Sequence, residues 1–259
     1  MSGTQSKIWS VDQKGLKFSF LIGSIHVPHQ LFPTLCNHSL ELVSKVRTVV
    51  TETTLDAQPD AFLSCPNWAN LLSDKKREKW QRLMNQWNVP PLSLWYSLPP
   101  IALLNFMQVK ALSEDAQGTV LDEWIYEQGI KANKETDGLL SPEEHYGLLL
   151  KIPLEHQLNM LKKFFKNPGD ARRKARRMLE LYRGNDMHAL YSYTNRHLGE
   201  YRSLLLRDRN KKMAVRTREL MHQKSCVFVV GAAHLAGEHG LIHLLKSQYG
   251  MQLRPWPSV

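Results

Sequence analysis

Two histidines occupy equivalent positions in a short motif that occurs twice in the chain. The first copy, FLIGSIHVP, starts at Phe20, and the second, FVVGAAHLA, starts at Phe228. Each is an apolar run followed by G-x-x-H, which places His26 in one copy and His234 in the other. Glycine adopts backbone conformations that other residues resist, so the chain can turn where each run ends. Neutral imidazoles bind divalent metals and also transfer protons, so the pair predicts metal binding or acid–base catalysis.

An acidic residue, Glu52, follows three strand-forming residues in the run Thr48–Thr53. If this run and Lys17–Ile22 are parallel neighbours joined by a helix over Pro33–Val46, their carboxyl ends lie side by side, with Glu52 near His26. Ligands of open α/β sheets bind beyond this edge. Two imidazoles and a carboxylate are a plausible ligand set for a divalent ion, which would lower the pKa of a bound water. Glu52 is then either a ligand or the base that activates the water.

Sheet-forming segments occur at both ends of the chain. The halves at about 15–60 and about 224–257 both contain a strand, G-x-x-H, a helix and a second strand, and the region of about 60–220 between them is largely helical. We therefore expect a mixed α/β fold and a single domain over 1–259. In this fold, two pseudo-symmetric strand-GxxH-helix-strand halves share one central sheet, with a large helical insertion. The elements expected in the second half are Cys226–Val230, Leu241–Tyr249 ended by Gly250, and Met251–Arg254.

Composition excludes several classes of protein. With 42% hydrophobic and 22% charged residues, the chain is neither disordered nor of low complexity. The net charge is +10, with basic runs at 172–177 and 207–218, but neither run contains interleaved aromatic base-stacking residues. A nucleic-acid partner is therefore not expected. Three widely spaced cysteines give neither a disulfide framework nor a CxxC metal site.

The beginning of the chain, MSGTQSKIW, lacks the apolar stretch of a signal peptide. The longest uncharged stretch, 83–109, contains four prolines, so we expect short buried helices there and no transmembrane segment. As the sequence stands, these observations predict a cytoplasmic location, or a secreted or periplasmic one if a leader has been removed. The aromatic residues Trp80, Trp87, Trp95 and Tyr96 are expected in a core.

Further motifs lie between the two G-x-x-H copies. They are VVTET, the segment 121–145 with LDEWIYEQG and KETDGLLSPEEH, IPLEHQLNML at 152–161, LYRGNDMHAL at 181–190 and RDRNKKMA at 207–214. In this order the chain resembles the TraB/GumN/PrgY family, which includes the TIKI metalloproteases. The resemblance implies a mixed α/β fold with both G-x-x-H motifs facing one cleft. TIKI members favour manganese or cobalt, and the wider superfamily includes erythromycin esterases and a haem-binding lipoprotein.

The resemblance also implies roles for individual residues. His26 and His234 match the motif histidines, and Glu52 matches the acidic residue after the second strand. Arg209 and Asn210 match an Arg-Asn pair, and Glu135 matches the acidic residue of a central L-E-T motif. We expect a manganese, cobalt or zinc ion to be bound by His26, Glu52 and His234. We expect Arg209 to act with them in catalysis, and Arg209, Asn210 and Glu135 to contact the substrate; each histidine is either a ligand or an acid–base group.

The expected function is that of a divalent-metal-dependent hydrolase, most simply a peptidase, acting on a peptide or a small ester or amide. The alternative is a non-catalytic ligand-binding or regulatory protein that holds a peptide signal or haem in the same cleft. Hydrolysis that is lost when His26 and Glu52 are replaced would support the first, and binding without turnover would support the second.

Overall fold

A computed structural model describes residues 6–55, 65–112 and 118–256, and within them the chain forms six strands and ten α-helices. The strands are β1 (Ile8–Asp12), β2 (Ser19–Ser24), β3 (Thr48–Thr51), β4 (Glu135–Gly138), β5 (Cys226–Gly231) and β6 (Gln252–Pro255). The helices are α1 (Pro33–Lys45), α2 (Asp74–Gln86), α3 (Pro100–Leu112), α4 (Leu121–Lys131), α5 (Pro142–Leu150), α6 (Leu154–Lys166), α7 (Pro168–Arg183), α8 (Met187–Leu198), α9 (Arg209–Gln223) and α10 (Leu241–Tyr249). The expected mixed α/β fold is confirmed.

All six strands form one sheet in the order β4-β3-β5-β2-β1-β6. The strands β4, β3, β5 and β2 are parallel, whereas β1 runs antiparallel to both β2 and β6. The first and last parts of the chain therefore meet in one sheet, as expected. Strand β2 pairs with β5 so that Ser24 faces Gly231, which aligns the two G-x-x-H motifs to within one residue.

The central position of β5 differs from the sequence-based expectation. Strands β2 and β3 are joined by α1 but are not neighbours, because β5 pairs with both of them. Strand β5 is an almost continuous apolar run, CVFVVG, and its first five residues are buried, as befits an inner strand covered on both faces. Strand β1 and the edge strand β4 were not expected, because IWSVD and ETDG are short and carry charged or polar side chains.

The chain divides into two compact units. Residues 6–55, 118–141 and 178–256 form the first unit, which holds the sheet, and residues 65–112 and 142–177 form the second, which is helical. The helical region expected over about 60–220 is thus shared, since α4, α8 and α9 belong to the unit with the sheet. The single domain expected over 1–259 stays a prediction.

The core of the first unit surrounds the sheet. Phe228 is fully buried, and the α9 residues Met213, Leu220 and Met221 pack in the same cluster as it. Helix α10 contributes Leu241, Leu244 and Leu245 to this cluster and ends at Gly250, whose φ of 67° is a left-handed conformation that glycine accepts readily. Burial of these apolar side chains holds α9 and α10 against the sheet.

The helical unit has a core rich in aromatic residues. Trp80 of α2 stacks on Phe165 of α6 with ring centroids 4.2 Å apart, and Trp68 is fully buried in the same cluster. Trp87, Trp95 and Tyr96 pack partly buried against that cluster, so the aromatic residues serve as core, as expected. Among the described residues, no helix combines the length and apolar character needed to cross a bilayer.

Candidate active site

Three parallel strands end beside one another, and a candidate side chain follows each of them. His26 lies two residues beyond the end of β2, Glu52 one residue beyond β3, and His234 three residues beyond β5. Because the strands run in the same direction, all three residues lie at the carboxyl edge of the sheet, where open α/β sheets bind ligands. Since β5 separates β2 from β3, Glu52 lies directly beside the His234 segment.

Glu52 is a carboxylate held by two donors. Its Oε1 accepts a hydrogen bond of 2.8 Å from the backbone N–H of Gly231, and its Oε2 accepts one from the Arg209 guanidinium, with which it forms an ion pair. The Glu52 side chain is 17% exposed and that of Arg209 only 11%. A Cβ at position 231 would lie 3.2 Å from Oε1, so glycine lets the strand approach the carboxylate closely. The position of Glu52 is therefore fixed by β5 and α9.

His234 is buried and hydrogen-bonded to Asn210. Its Nδ1 lies 2.6 Å from the Asn210 Oδ1. The Asn210 Nδ2 donates to the backbone oxygens of His234 and His239, at 3.3 and 2.7 Å, which fixes the orientation of the amide. Oδ1 must then accept, so we assign the proton to Nδ1 of His234. The Nε2 lone pair is left facing Glu52, with Oε1 at 3.7 Å.

Burial lowers the pKa of His234 to about 4. The negative charge of Glu52 acts in the opposite direction, and the positive charges of Arg209 and His26 lower the pKa further. His234 is therefore a neutral imidazole at neutral pH. Its Nε2 is available as a proton acceptor or as a metal ligand.

His26 has a different partner, Asp122. The His26 Nδ1 lies 3.1 Å from the Asp122 Oδ2, and the charge of Asp122 is the main factor that raises the pKa of His26 to about 9, against the desolvation that lowers it. The hydrogen bond to Asp122 and the charges of Glu52 and Glu123 also raise the pKa of His26. The imidazole is 63% exposed, so water screens part of these attractions. His26 is therefore the protonated member of the histidine pair at neutral pH.

Contacts between the segment that follows β2 and the start of α4 place Asp122 beside His26. The Leu121 N–H donates to the Val27 oxygen at 3.0 Å, and the His29 ring stacks on Trp124 with centroids 4.9 Å apart. Asp122 lies in the first turn of α4 with one carboxylate oxygen, Oδ1, buried and without a hydrogen-bond partner. Sequence analysis missed Asp122 as a site residue, because an acidic residue at the start of a helix usually only complements the helix dipole.

The model of the TraB/PrgY/gumN family matches residues 7–252, which is nearly the whole chain. The chain belongs to this family. A comparison with curated proteins gave no match. The TraB/PrgY/gumN match spans both G-x-x-H motifs, Glu52 and the Arg209-Asn210 pair. Membership in the family supports the fold, whereas the chemistry has to be argued from the site itself.

Not all the residues expected from the TraB/PrgY/gumN resemblance lie beside Glu52 and His234. Arg209 and Asn210 do lie there, and each contacts another side chain of the site: Arg209 binds Glu52, and Asn210 binds His234. Glu135 is the first residue of β4 and pairs in register with Thr48, so it lies at the opposite edge of the sheet from Glu52. There it forms ion pairs with Arg47 at 2.7 Å and Lys224 at 3.3 Å. Glu135 therefore lies apart from Glu52 and His234, and its contact with a substrate stays a prediction.

The three expected metal ligands do not fit a metal ion in this arrangement. His26 carries a proton and pairs with Asp122, and both oxygens of Glu52 accept hydrogen bonds, one of them from a cation. Only His234 presents a neutral nitrogen of the kind that a divalent ion requires. In the part of the chain that the structure describes, no three His, Cys, Asp or Glu side chains are grouped so as to hold a metal. The metal ion stays a prediction.

Proposed function

We propose that this TraB/PrgY/gumN member is a hydrolase that cleaves a peptide, ester or amide bond at the cluster of His26, Glu52 and His234. One observation carries the proposal: two histidines from distant motifs and a fixed carboxylate meet at the carboxyl edge of one sheet. Each of these side chains has its own buried or partly buried partner, namely Asp122, Arg209 or Asn210. Such support fixes the orientation of side chains that transfer protons.

The protonation states of the two histidines give them complementary roles. Neutral His234 accepts a proton from water through Nε2 as the water attacks the carbonyl carbon, and Glu52 at 3.7 Å stabilises the resulting imidazolium. Protonated His26 donates to the departing nitrogen or oxygen as the bond to carbon breaks. Environments that shift the pKa values of two groups apart are the usual means of providing an acid and a base at one pH. Arg209 is a positioning residue, since it holds Glu52.

The first test is hydrolysis of a panel of fluorogenic peptides, esters and amides by the wild type and by the His26→Ala and His234→Ala variants. Loss of a general acid or base costs about 100- to 10,000-fold in rate, so both variants should fall by at least about 100-fold. His243→Ala is the matched control, because His243 is an exposed histidine on α10. We expect this control to keep the wild-type rate.

Glu52→Gln is the complementary variant, and its folding has to be checked by circular dichroism. Removing one member of a buried ion pair leaves the other uncompensated, at a cost of about 3–5 kcal/mol. His26→Ala avoids this difficulty, since its ring is largely exposed. Equal rates in the His26 variant, the His234 variant and the wild type would contradict the proposal. Ligand binding without turnover would instead favour the non-catalytic alternative.

The metal requirement is tested separately. The protein is incubated with manganese, cobalt and zinc, desalted and analysed by mass spectrometry, and its hydrolysis is measured with and without a chelator. About one equivalent of metal, lost in the His26 and His234 variants, would support the expected ion and would require the Glu52–Arg209 pair to rearrange. Hydrolysis that persists in the chelated, metal-free protein would support proton transfer by the histidines alone.

A further inference from the structure

A concave region of the sheet-bearing unit lies next to the residues that support His234. It is a cavity of about 380 Å³, within the size range of sites that bind small molecules. One wall is formed by Arg202, Leu206, Arg207 and Asn210, which lie close together along the chain. Tyr191 of α8 and His239 form much of the opposite wall.

The backbone of the first wall has an unusual geometry. Residues Ser203–Asp208 form a π-helix directly before α9. A π-helical turn holds more residues than an α-helical turn and is found frequently at functional sites, because it changes where the following side chains point. Here it lies between Arg202 and Asn210, so it sets their relative positions along the wall.

The approach of the loop after β5 to Tyr191 depends on a glycine. Gly237 has a φ of 86°, which disfavours any other residue, and a Cβ there would lie 2.4 Å from carbon atoms of the Tyr191 ring. The loop after β5 can therefore approach the Tyr191 ring this closely only with glycine at this position. Tyr191 and Leu206 give the cavity an apolar part next to its charged groups.

The charges of the cavity favour an anion. Arg202 and Arg207 are exposed, and neither makes an ion pair with a carboxylate in the described part of the chain. The acidic lining residue Glu238 lies with its Oε1 3.3 Å from the His239 Nε2, and its side chain is 79% exposed. The cavity lining thus contains two guanidinium groups and one carboxylate. Guanidinium groups bind carboxylate and phosphate oxygens with two parallel hydrogen bonds.

Asn210 connects this cavity to the proposed active site. The same side chain whose Oδ1 binds the His234 Nδ1 donates to the backbone oxygen of His239, and Asn210 and His239 both line the cavity. A ligand held by Arg202 and Arg207 would therefore lie against the group that orients His234.

We propose that this cavity binds an anionic oxygen group of the substrate, a carboxylate or a phosphate, through Arg202 and Arg207. This inference extends the proposed function, because it assigns a chemical feature to the substrate of the His234 cluster. The ligand has an apolar part that contacts Tyr191 and Leu206.

Binding of matched probes tests the proposal. N-acetyl-leucine and N-acetyl-leucinamide differ only in the carboxylate, and inorganic phosphate tests the alternative anion; affinities are measured by calorimetry at fixed ionic strength. We expect at least one anion to bind about fivefold or more tighter than the amide, because a guanidinium group binds a charged oxygen more strongly than a neutral amide. The acetyl-leucine and phosphate arms then identify the preferred anion.

Variants locate the binding site. Arg202→Gln and Arg207→Gln should each weaken anion binding by about three- to tenfold, and the double variant should weaken it further. Arg196→Gln is the matched control, because Arg196 is an exposed arginine on α8 outside the cavity lining. It should change the affinity by less than about twofold. Absence of anion preference, or an equal effect of Arg196→Gln, would overturn the proposal.

The two proposals fail in different ways. If the wild type prefers the anion through Arg202 and Arg207 but hydrolyses nothing on the panel, the cavity assignment stands and the hydrolase proposal is wrong. If the wild type hydrolyses neutral and anionic substrates equally well and the two arginine variants bind anions as the wild type does, the hydrolase proposal stands and the cavity assignment is wrong.

Discussion

His26 and His234 come from the same sequence motif but meet different surroundings. After Gly231 the chain forms a 3₁₀ turn, Ala232–His234, that places His234 in a buried position beside Asn210. After Gly23 there is no such turn, and the His26 ring remains exposed with Asp122 on one nitrogen. Burial therefore favours the neutral form of His234, whereas a carboxylate favours the charged form of His26.

This difference predicts the pH dependence of hydrolysis. The reaction needs neutral His234 and protonated His26, so kcat/KM should fall as the pH drops through about 4 and as it rises through about 9. Asp122→Asn removes the main cause of the raised pKa, and the alkaline limb should move from about 9 down towards 6.5. A pH–rate profile of both proteins measures the shift.

Glu127→Gln provides the control for this profile. Glu127 lies on the same helix as Asp122, but it is not among the charges that act on His26. The alkaline limb of the Glu127→Gln profile should remain that of the wild type. An unchanged alkaline limb in Asp122→Asn would show that His26 is not the acid.

At the scale of elements, three segments deliver the residues that support the site. Helix α9 carries Arg209 and Asn210 in its first turn, immediately after the π-helix. Helix α4 carries Asp122 and packs on β3, where Gly129 contacts Val49. Strand β5 donates the Gly231 N–H to Glu52. The site therefore depends on how closely α4 and α9 approach the sheet.

The contact of α4 with β3 gives a prediction for stability. In Gly129→Ala, the new Cβ would lie 2.7 Å from the Val49 Cγ2, and β-branched Val49 in an inner strand has little freedom to move. Such overpacking costs about 1–3 kcal/mol, and a shift of α4 would also move Asp122 away from His26. Urea denaturation measures the change in the free energy of unfolding.

Gly147→Ala is the matched control within an α-helix. Gly147 lies in α5, and a Cβ there would have no heavy atom within 4 Å. Alanine should therefore stabilise the helix by about 0.4–1 kcal/mol. If Gly129→Ala were as stable as the wild type, the close packing of α4 on β3 would be contradicted.

At the scale of the whole molecule, the sequence was sufficient to predict the elements whose pattern is local or repeated. The alternation of apolar strands and G-x-x-H predicted β2, β5 and a shared sheet, and the Arg209-Asn210 pair was recognised through the family. The strand order was not predictable, because nothing in the β3 sequence indicates whether β2 or β5 is its neighbour. Asp122 and the position of Glu135 depend on α4 and β4, whose placement results from long-range packing.

The same long-range pairing makes the C-terminal segment essential for folding. Strand β5 buries Val227, Phe228, Val229 and Val230 at the centre of the sheet. At about 1.5–3 kcal/mol for each buried side chain, these four contribute about 6–12 kcal/mol. This is comparable with the whole stability of a typical protein, about 5–15 kcal/mol. In a chain truncated after Gln223, the unit that holds the sheet should therefore not fold, and no cooperative thermal transition at the Tm of the full chain should remain by circular dichroism.

A shorter truncation, after Gly250, separates the effect of β5 from that of chain length. It removes β6, which among the described strands pairs with β1 alone, at the edge of the sheet. This protein should still unfold cooperatively, at a lower temperature than the full chain. A cooperative transition at the full-length Tm in the chain truncated after Gln223 would contradict the central role of β5.

The insertion of β5 between β2 and β3 also has a consequence during synthesis. When synthesis has reached residue 223, His26 and Glu52 exist, but the strand that lies between theirs does not. His234 and the Gly231 amide that binds Glu52 are made only after this point. Any chemistry that needs both histidines therefore has to wait until synthesis has passed His234, and we expect a chain stalled before β5 to be inactive.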